Sequence, residues 1–194
     1  MQKEFSDVVR FHGHACPGLA FGYRVAQVAL EALGPCRPRQ ELVAVVENKS
    51  CAVDAIQVVT GCTFGKGNLV LEDFGKQVYS FMTRDGQGVR IAVIWQAPPE
   101  SAAMQEVWRQ FQAGERSPEV MQQIAAHKGK KVRAILEAAP EKLFKVEKQQ
   151  FKVPAVARVF KSLRCSRCLE KVMEPMAQVR GDTILCIPCQ NAIK

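Results

Sequence analysis

The first 140 positions combine two apolar patterns, one with helical spacing and one typical of short buried strands. Residues 17–33 are predicted to form a long helix, because Pro17 suits a first helical position and Gly34 can end the helix. The Val-rich run Leu42–Val46 is short enough to be a buried strand. Three further apolar runs are predicted strands: Leu69–Leu71, Val78–Thr83 and Val89–Trp95. The last two are separated by residues 85–88, whose Asp-Gly pair is typical of a hairpin turn.

Helical spacing also occurs on both sides of these strands. Residues 3–10 are predicted to form a short helix, and Ala52–Thr60 to form another that ends at Gly61. Apolar residues recur at i, i+3, i+4 and i+7 in two later stretches: Met104, Val107, Trp108 and Phe111, then Val132, Ile135, Leu136 and Ala139. Leu143–Phe151 is interpreted as a connecting strand or a linker. The pattern therefore predicts mixed α and β structure.

Composition limits the class of protein. A chain of 194 residues with 47% hydrophobic residues can hold one ordinary domain plus a small second one. No apolar run approaches the ~20 residues of a membrane span, and the first ten residues lack the apolar centre of a signal peptide. We therefore expect a soluble, cytoplasmic protein with no membrane partner. In that compartment, eight cysteines indicate metal binding or catalysis rather than disulfides.

Four of the cysteines have the spacing of a structural zinc site: Cys165, Cys168, Cys186 and Cys189. Each C-x2-C pair can supply two sulfurs from one tight turn, and two pairs complete a tetrahedron. Segments 172–179 and 183–185 can form a hairpin and the last residues begin a helix, an order that predicts a treble clef. Haem attachment needs His after the second cysteine of a pair, where Leu169 and Gln190 stand. A closed four-sulfur site is structural rather than catalytic.

The net charge of +8 raises the question of nucleic-acid binding. Residues 141–194 carry 11 Lys and Arg against 5 Asp and Glu, so most of the excess lies in this part. Four thiolates around one zinc ion add a charge of −2 there, which leaves a modest excess. A solvated basic surface is favoured over a groove for phosphates.

A second candidate site lies earlier in the chain. His12, His14 and Cys16 occupy alternate positions, so an extended segment would project them to one side. Cys16 also precedes the helix that begins at Pro17, where the positive end of the helix dipole favours a thiolate.

Three more polar or soft side chains lie in a largely apolar, glycine-rich segment: Cys51, Asp54 and Cys62. Asp54 is the only charged residue between Ser50 and Gly65, which indicates a paired, coordinated or functional carboxylate. Each cysteine taken singly is readily a small buried apolar residue, and the two histidines could cap a helix. Taken together, these residues favour a site.

Two segments carry a resemblance to a known family: FHGHACPGLAFGYR and CAVDAIQVVTGCTFGKGNLVLEDFGKQVYSF. Both closely resemble the FmdE family of formylmethanofuran dehydrogenase, and the similarity covers almost the whole chain. The resemblance implies an α+β core of thioredoxin-like character, with a mixed β-sheet flanked by helices and a metal-capable site. It also implies a small C-terminal treble-clef zinc finger. The predicted domains are residues 1–155 and residues 156–194.

The resemblance also implies a set of core site residues, with zinc as the predicted cofactor. A second metal site is expected to draw on His14, Cys16, Cys51 and Cys62. Cys16 and Cys62 are also the candidate catalytic residues. Possible neighbours are His12, Asp54, Lys66 and Lys76. Which subset binds a metal at once stays open at this point.

The family's name implies a metal-binding accessory or stand-alone protein linked to anaerobic one-carbon metabolism. Its expected partners are redox enzyme subunits or a second copy of the chain, and nucleic acid is the less expected partner. Oxidation at a tungsten or molybdenum pterin centre belongs to other subunits of that enzyme. Two alternatives remain: a zinc- or thiol-dependent enzyme acting on a small molecule, and a zinc-finger regulator that binds nucleic acid.

Overall fold

The computed structural model describes residues 3–34 and 41–192. The outermost residues of both predicted domains, together with residues 35–40, lie outside the described residues. The chain divides into two compact units, residues 1–155 and 156–194, and the division falls where the sequence places the domain boundary. Whether each unit folds alone stays a prediction.

The first unit contains six helices and five strands within its described residues. The helices are α1 (Phe5–His12), α2 (Pro17–Leu33), α3 (Ala52–Thr60), α4 (Ala102–Gln112), α5 (Pro118–Glu137) and α6 (Pro140–Leu143). The strands are β1 (Leu42–Val46), β2 (Leu69–Leu71), β3 (Val78–Thr83), β4 (Gln87–Val93) and β5 (Phe144–Gln150). They form one sheet in the order β2-β1-β3-β4-β5, with β1 and β2 parallel and the other pairs antiparallel. The predicted α+β fold with a mixed sheet is confirmed; its thioredoxin-like character stays a prediction.

Some element bounds differ from the predicted ones for identifiable reasons. Strand β4 begins earlier than predicted because Gly88 already pairs with Met82 and with Gln149 on the two neighbouring strands. The region read as a strand or a linker is β5, an edge strand paired along its whole length with β4. Helix α5 is far longer than its predicted apolar stripe, since Val120 and Ile124 add a second stripe that packs on α4.

Helices α2 and α3 pack at unusually close range. Gly22 lies at the contact, where an added Cβ would collide with the backbone of Ala52. One turn earlier, an added Cβ on Gly18 would lie only 3.3 Å from the Cβ of Cys51. Glycine is needed at Gly22 because no side chain fits between the two backbones. This contact fixes the N-terminal ends of α2 and α3 beside each other.

The second unit is built from short elements. They are β6 (Ser162–Arg164), β7 (Lys171–Met173), a 3-10 turn (Glu174–Met176), β8 (Ala177–Arg180), β9 (Thr183–Cys186) and α7 (Ile187–Asn191). Strands β6 and β7 form one hairpin, and β8 and β9 form another. The order of knuckle, hairpin and helix is the one predicted for a treble clef. No helix among the described residues of either unit is long and apolar enough to cross a membrane.

We predict that Gly22→Ala destabilises the protein by roughly 1–3 kcal/mol, because the new methyl group must push α2 and α3 apart. The matched control is Gly129→Ala in α5, where an added Cβ has open space around it. That change should stabilise the protein by about 0.5–1 kcal/mol through helix propensity alone. Urea unfolding of both variants measures the difference. Equal effects of the two substitutions would contradict the close helix contact.

Candidate metal centres

The four cysteines of the second unit converge on one point. Their Sγ atoms all lie within 4.8 Å of one another: Cys165, Cys168, Cys186 and Cys189. The Sγ atoms of Cys168 and Cys186 are 3.8 Å apart. A tetrahedral site with Zn–S bonds of about 2.3 Å has sulfur–sulfur edges of about 3.8 Å. The arrangement therefore fits a zinc ion held by four thiolates.

The local backbone holds these thiols in place. Cys165 and Cys168 lie on the turn between β6 and β7, while Cys186 ends β9 and Cys189 lies in α7. The backbone N–H of Cys168 and then that of Cys186 lower the pKa of the Cys165 thiol to about 6. The second of these groups lies 3.5 Å from the sulfur. Since metal binds the thiolate, these N–H groups favour the form of Cys165 that a zinc ion requires.

A second group of ligand atoms lies in the first unit, where three helix ends meet. It consists of His12 at the end of α1, Cys16 just before α2 and Cys51 just before α3. Their ligand atoms lie within 4.8 Å of one another. His12 Nε2 is 4.0 Å from Cys16 Sγ, close to the spacing of about 3.6 Å expected for two ligands of one zinc ion. The soft sulfur and imidazole donors also suit zinc.

The sequence explains why these three side chains meet. Gly13 adopts a left-handed conformation (φ 93°), which ends α1 directly after His12 and turns the chain towards α2. Cys16 accepts a hydrogen bond at Sγ from the backbone N–H of Leu19, 3.4 Å away, so its sulfur caps α2. The glycine contact between α2 and α3 then brings Cys51 beside Cys16. Burial, followed by the hydrogen bond to Cys16, raises the pKa of the Cys51 thiol.

Asp54 fixes the orientation of the histidine ring. Its Oδ2 lies 2.7 Å from His12 Nδ1, an atom that must carry the proton to donate to a carboxylate. The tautomer assigned by this hydrogen bond leaves Nε2 unprotonated, and Nε2 is the atom nearest Cys16. Carboxylate–histidine pairs of this kind orient metal-binding imidazoles.

The structure groups the predicted core residues differently from the sequence. His12, expected as a neighbour, belongs to the group, while the exposed His14 lies against it with ring centroids 4.6 Å apart. The assumption of an extended segment fails because α1 includes His12. Cys62 is fully buried and its thiol donates to the carbonyl oxygen of Leu42, 3.3 Å away. The structure thus directs Cys62 towards strand β1 and does not bring it into the group.

The two predicted lysine neighbours have other contacts. Lys66 Nζ donates to the carbonyl oxygen of Gly61, 2.7 Å away, at the C-terminal end of α3. The Lys76 backbone donates to Glu47 O and accepts from Asn48 Nδ2. Sequence reasoning did not single out Asn48, although a buried amide just after a strand is the type of signal that could have identified it.

Fold and geometry together define a class: an α+β protein with a His/Cys cluster at helix ends and an appended four-cysteine finger. Residues 11–145 match the family described as FmdE, Molybdenum formylmethanofuran dehydrogenase operon. The match spans more than half of the chain, which therefore belongs to the FmdE family. Residues 158–194 match the prokaryotic dksA/traR C4-type zinc finger.

Two relatives extend this comparison. A protein of Archaeoglobus fulgidus named "Probable S-adenosyl-L-methionine-binding protein" is 30% identical over 194 residues, which cover 94% of this chain and 51% of the relative. The chain thus spans about half the length of that curated relative. A crystal structure of a tungsten formylmethanofuran dehydrogenase FmdE-like protein from Syntrophus aciditrophicus is 22% identical, with a TM-score of 0.61. The match covers 96% of this chain and 90% of that protein, and it shows that the fold is shared.

We predict that Cys168→Ser removes zinc from the second unit and disorders it, because so small a unit gains its folding free energy from the ion. The melting of the first unit should not change. The control is Val179→Ser, at an exposed position of β8 in the same unit. Zinc per chain by elemental analysis and amide NMR of residues 162–191 give the result. A Cys168→Ser protein that keeps its zinc and its dispersed amide signals would contradict the prediction.

Proposed function

We propose that the core of this protein binds one zinc ion through His12 Nε2 and the Sγ atoms of Cys16 and Cys51. The observation that carries the proposal is the convergence of these three ligand atoms within 4.8 Å, with the histidine oriented by Asp54. The donor set and the spacing are those that zinc requires. The site is additional to the zinc ion of the four-cysteine finger.

The core site differs from the finger in the number of its ligands. Three protein ligands are typical of zinc sites that keep a position for a small molecule, whereas four are typical of structural sites. A bound ion would supply Lewis acidity at that position. The chain's own residues orient the ligands: Asp54 holds the imidazole, and the Leu19 N–H holds the Cys16 sulfur.

We further propose that the protein serves one-carbon metabolism as an accessory or stand-alone metal-binding protein. The family description and the name of the Syntrophus relative support this, since both refer to formylmethanofuran dehydrogenase. The finger then serves as a docking module for a protein partner, either redox enzyme subunits or a second copy of this chain. S-adenosyl-L-methionine is not carried over from the Archaeoglobus relative, because this chain spans only half of that protein.

A second candidate function is a zinc-dependent enzyme acting on a small molecule. The specific observation in its favour is the three-ligand set, which leaves room for substrate beside the ion. Cys62 is an unsuitable nucleophile in this geometry because its side chain is fully buried. Cys16 is 9% exposed and lies in the ligand group, so its sulfur serves as a ligand.

Replacing one core ligand tests the proposed site. We predict that Cys51→Ala lowers bound zinc or cobalt from two ions per chain to one, because two remaining ligands hold the ion weakly. The matched control is Cys62→Ala, which should keep two ions per chain and lose roughly 1 kcal/mol or more of stability through a buried void. Elemental analysis, cobalt absorption spectra and thermal melts give these results. If Cys62→Ala loses the core ion while Cys51→Ala keeps it, the ligand set is wrong.

The role of Asp54 can be measured separately. We predict that Asp54→Asn lowers core zinc affinity by about 10- to 100-fold, because the amide no longer favours the required histidine tautomer. Asp73→Asn is the control, since Asp73 is an exposed carboxylate paired with Lys49. Competition with a chelator measures both affinities in the full-length protein. Equal affinities for the two variants would contradict the proposed role of Asp54.

A further inference from the structure

A cavity of about 210 Å³ adjoins Asp54, the carboxylate that contacts His12. Its walls combine polar and apolar side chains: Asn48, Lys49, Ser50, Asp54, Phe64 and Leu71, among others. The volume equals that of about seven liquid water molecules. The cavity therefore suits a small molecule of roughly that number of non-hydrogen atoms, or slightly more.

Asn48 contributes a buried hydrogen-bond acceptor without a partner. Its residue is 6% exposed, and its Nδ2 donates to Lys76 O at 2.6 Å and to Tyr79 Oη at 3.2 Å. A carbonyl oxygen can only accept, so the contact with Lys76 fixes which end of the amide is Nδ2. Asn48 Oδ1 then has no hydrogen-bond partner among the described residues. A buried acceptor of this kind is stabilised by a ligand that brings an N–H or O–H donor.

The charges around the cavity favour a cationic donor. Asp54 supplies a carboxylate whose Oδ2 is engaged by His12, which leaves acceptor capacity on the group. The lysine of the lining, Lys49, is already paired with Asp73 at 2.7 Å. The Ser50 hydroxyl oxygen accepts from the Ala52 N–H at 3.4 Å. The polar side of the cavity therefore offers acceptors and negative charge, which match an ammonium group.

The remaining wall is apolar and includes an exposed aromatic ring. Val46 and Val53 are buried, and Phe64 lines the cavity although it is 57% exposed. An exposed phenylalanine beside a polar pocket gives a flat surface on which an apolar or aromatic group can pack, and a cation can approach its face.

We propose that this cavity binds a small primary amine with an apolar or aromatic body. The ammonium group donates to Asn48 Oδ1 and to the Asp54 carboxylate, and the body packs against Phe64. The position of this subsite beside a metal rests on the proposed function, because Asp54 is shared between the cavity and His12. The amine is then the part of a substrate or effector that the protein holds next to the core ion.

The direct test is an NMR titration of the zinc-loaded, full-length protein with benzylamine. We expect saturable shifts of the amides of residues 46–71, with a dissociation constant of about one millimolar or tighter, as a ligand of this size allows. Benzoate has the same ring and the opposite charge, so it should produce no saturable shifts. Equal binding of both compounds, or no saturable binding of benzylamine, would overturn the proposal.

Variants of the wall locate the binding. Phe64→Ala should weaken benzylamine binding roughly three- to tenfold, through loss of the aromatic contact. Phe74→Ala is the control, because Phe74 is 62% exposed and does not line the cavity. Asn48→Leu should abolish binding, and if that variant fails to fold, the phenylalanine pair decides. Equal effects of Phe64→Ala and Phe74→Ala would overturn the location.

Core zinc content is measured on the same samples and separates the two proposals. A protein with core zinc that does not bind benzylamine overturns the subsite alone. A protein that binds benzylamine but holds no core zinc overturns the proposed metal function and leaves the amine subsite standing. If the subsite adjoins the ion, benzylamine should also perturb the absorption spectrum of cobalt in the core site, whereas benzoate should not.

Discussion

The close contact between α2 and α3 determines where the core chemistry can occur. Gly22 lets the two backbones approach, and Gly18 leaves room for Cys51 one turn earlier. The N-terminal ends of both helices are thereby held side by side, with Cys16 and Cys51 as the residues that precede them. The positive helix ends favour thiolates there, which opposes the burial that raises the pKa of Cys51. A larger residue at Gly22 would separate the ligands before it affected any of them directly.

Apolar packing supports the same three helix ends. Val8, Leu19 and Ala55 are fully buried and belong to one cluster with Cys16, and Cys51 packs against it. The ligand atoms are therefore positioned by the hydrophobic core of the unit and do not depend on a metal for their arrangement. The finger has no comparable support, since among its described residues only Cys165 is fully buried and side chains such as Val179 are exposed. Its order must come from the ion.

Sequence reasoning succeeded where the signal is local. Pro17 and Gly34 bound α2 as predicted, and the paired C-x2-C spacing identified the finger. It could not rank His12 above His14, because the choice depends on where α1 ends and on a carboxylate 42 residues away. Cys62 gave the same difficulty. Its thiol faces a carbonyl of β1, 20 residues away, and that neighbour follows from the packing of α3 on the sheet, which periodicity does not report.

The two candidate metal centres also differ in what their surroundings allow an ion to do. The finger completes a tetrahedron from protein sulfur alone, so a zinc ion there has no position for another ligand. The core offers three ligands, a carboxylate behind the histidine and a cavity that this carboxylate also lines. Any molecule that engages Asp54 from the cavity changes the hydrogen bond that fixes the tautomer of His12. Ligand binding and metal affinity in the core are therefore linked through one side chain, and linkage requires that each affect the other by the same factor.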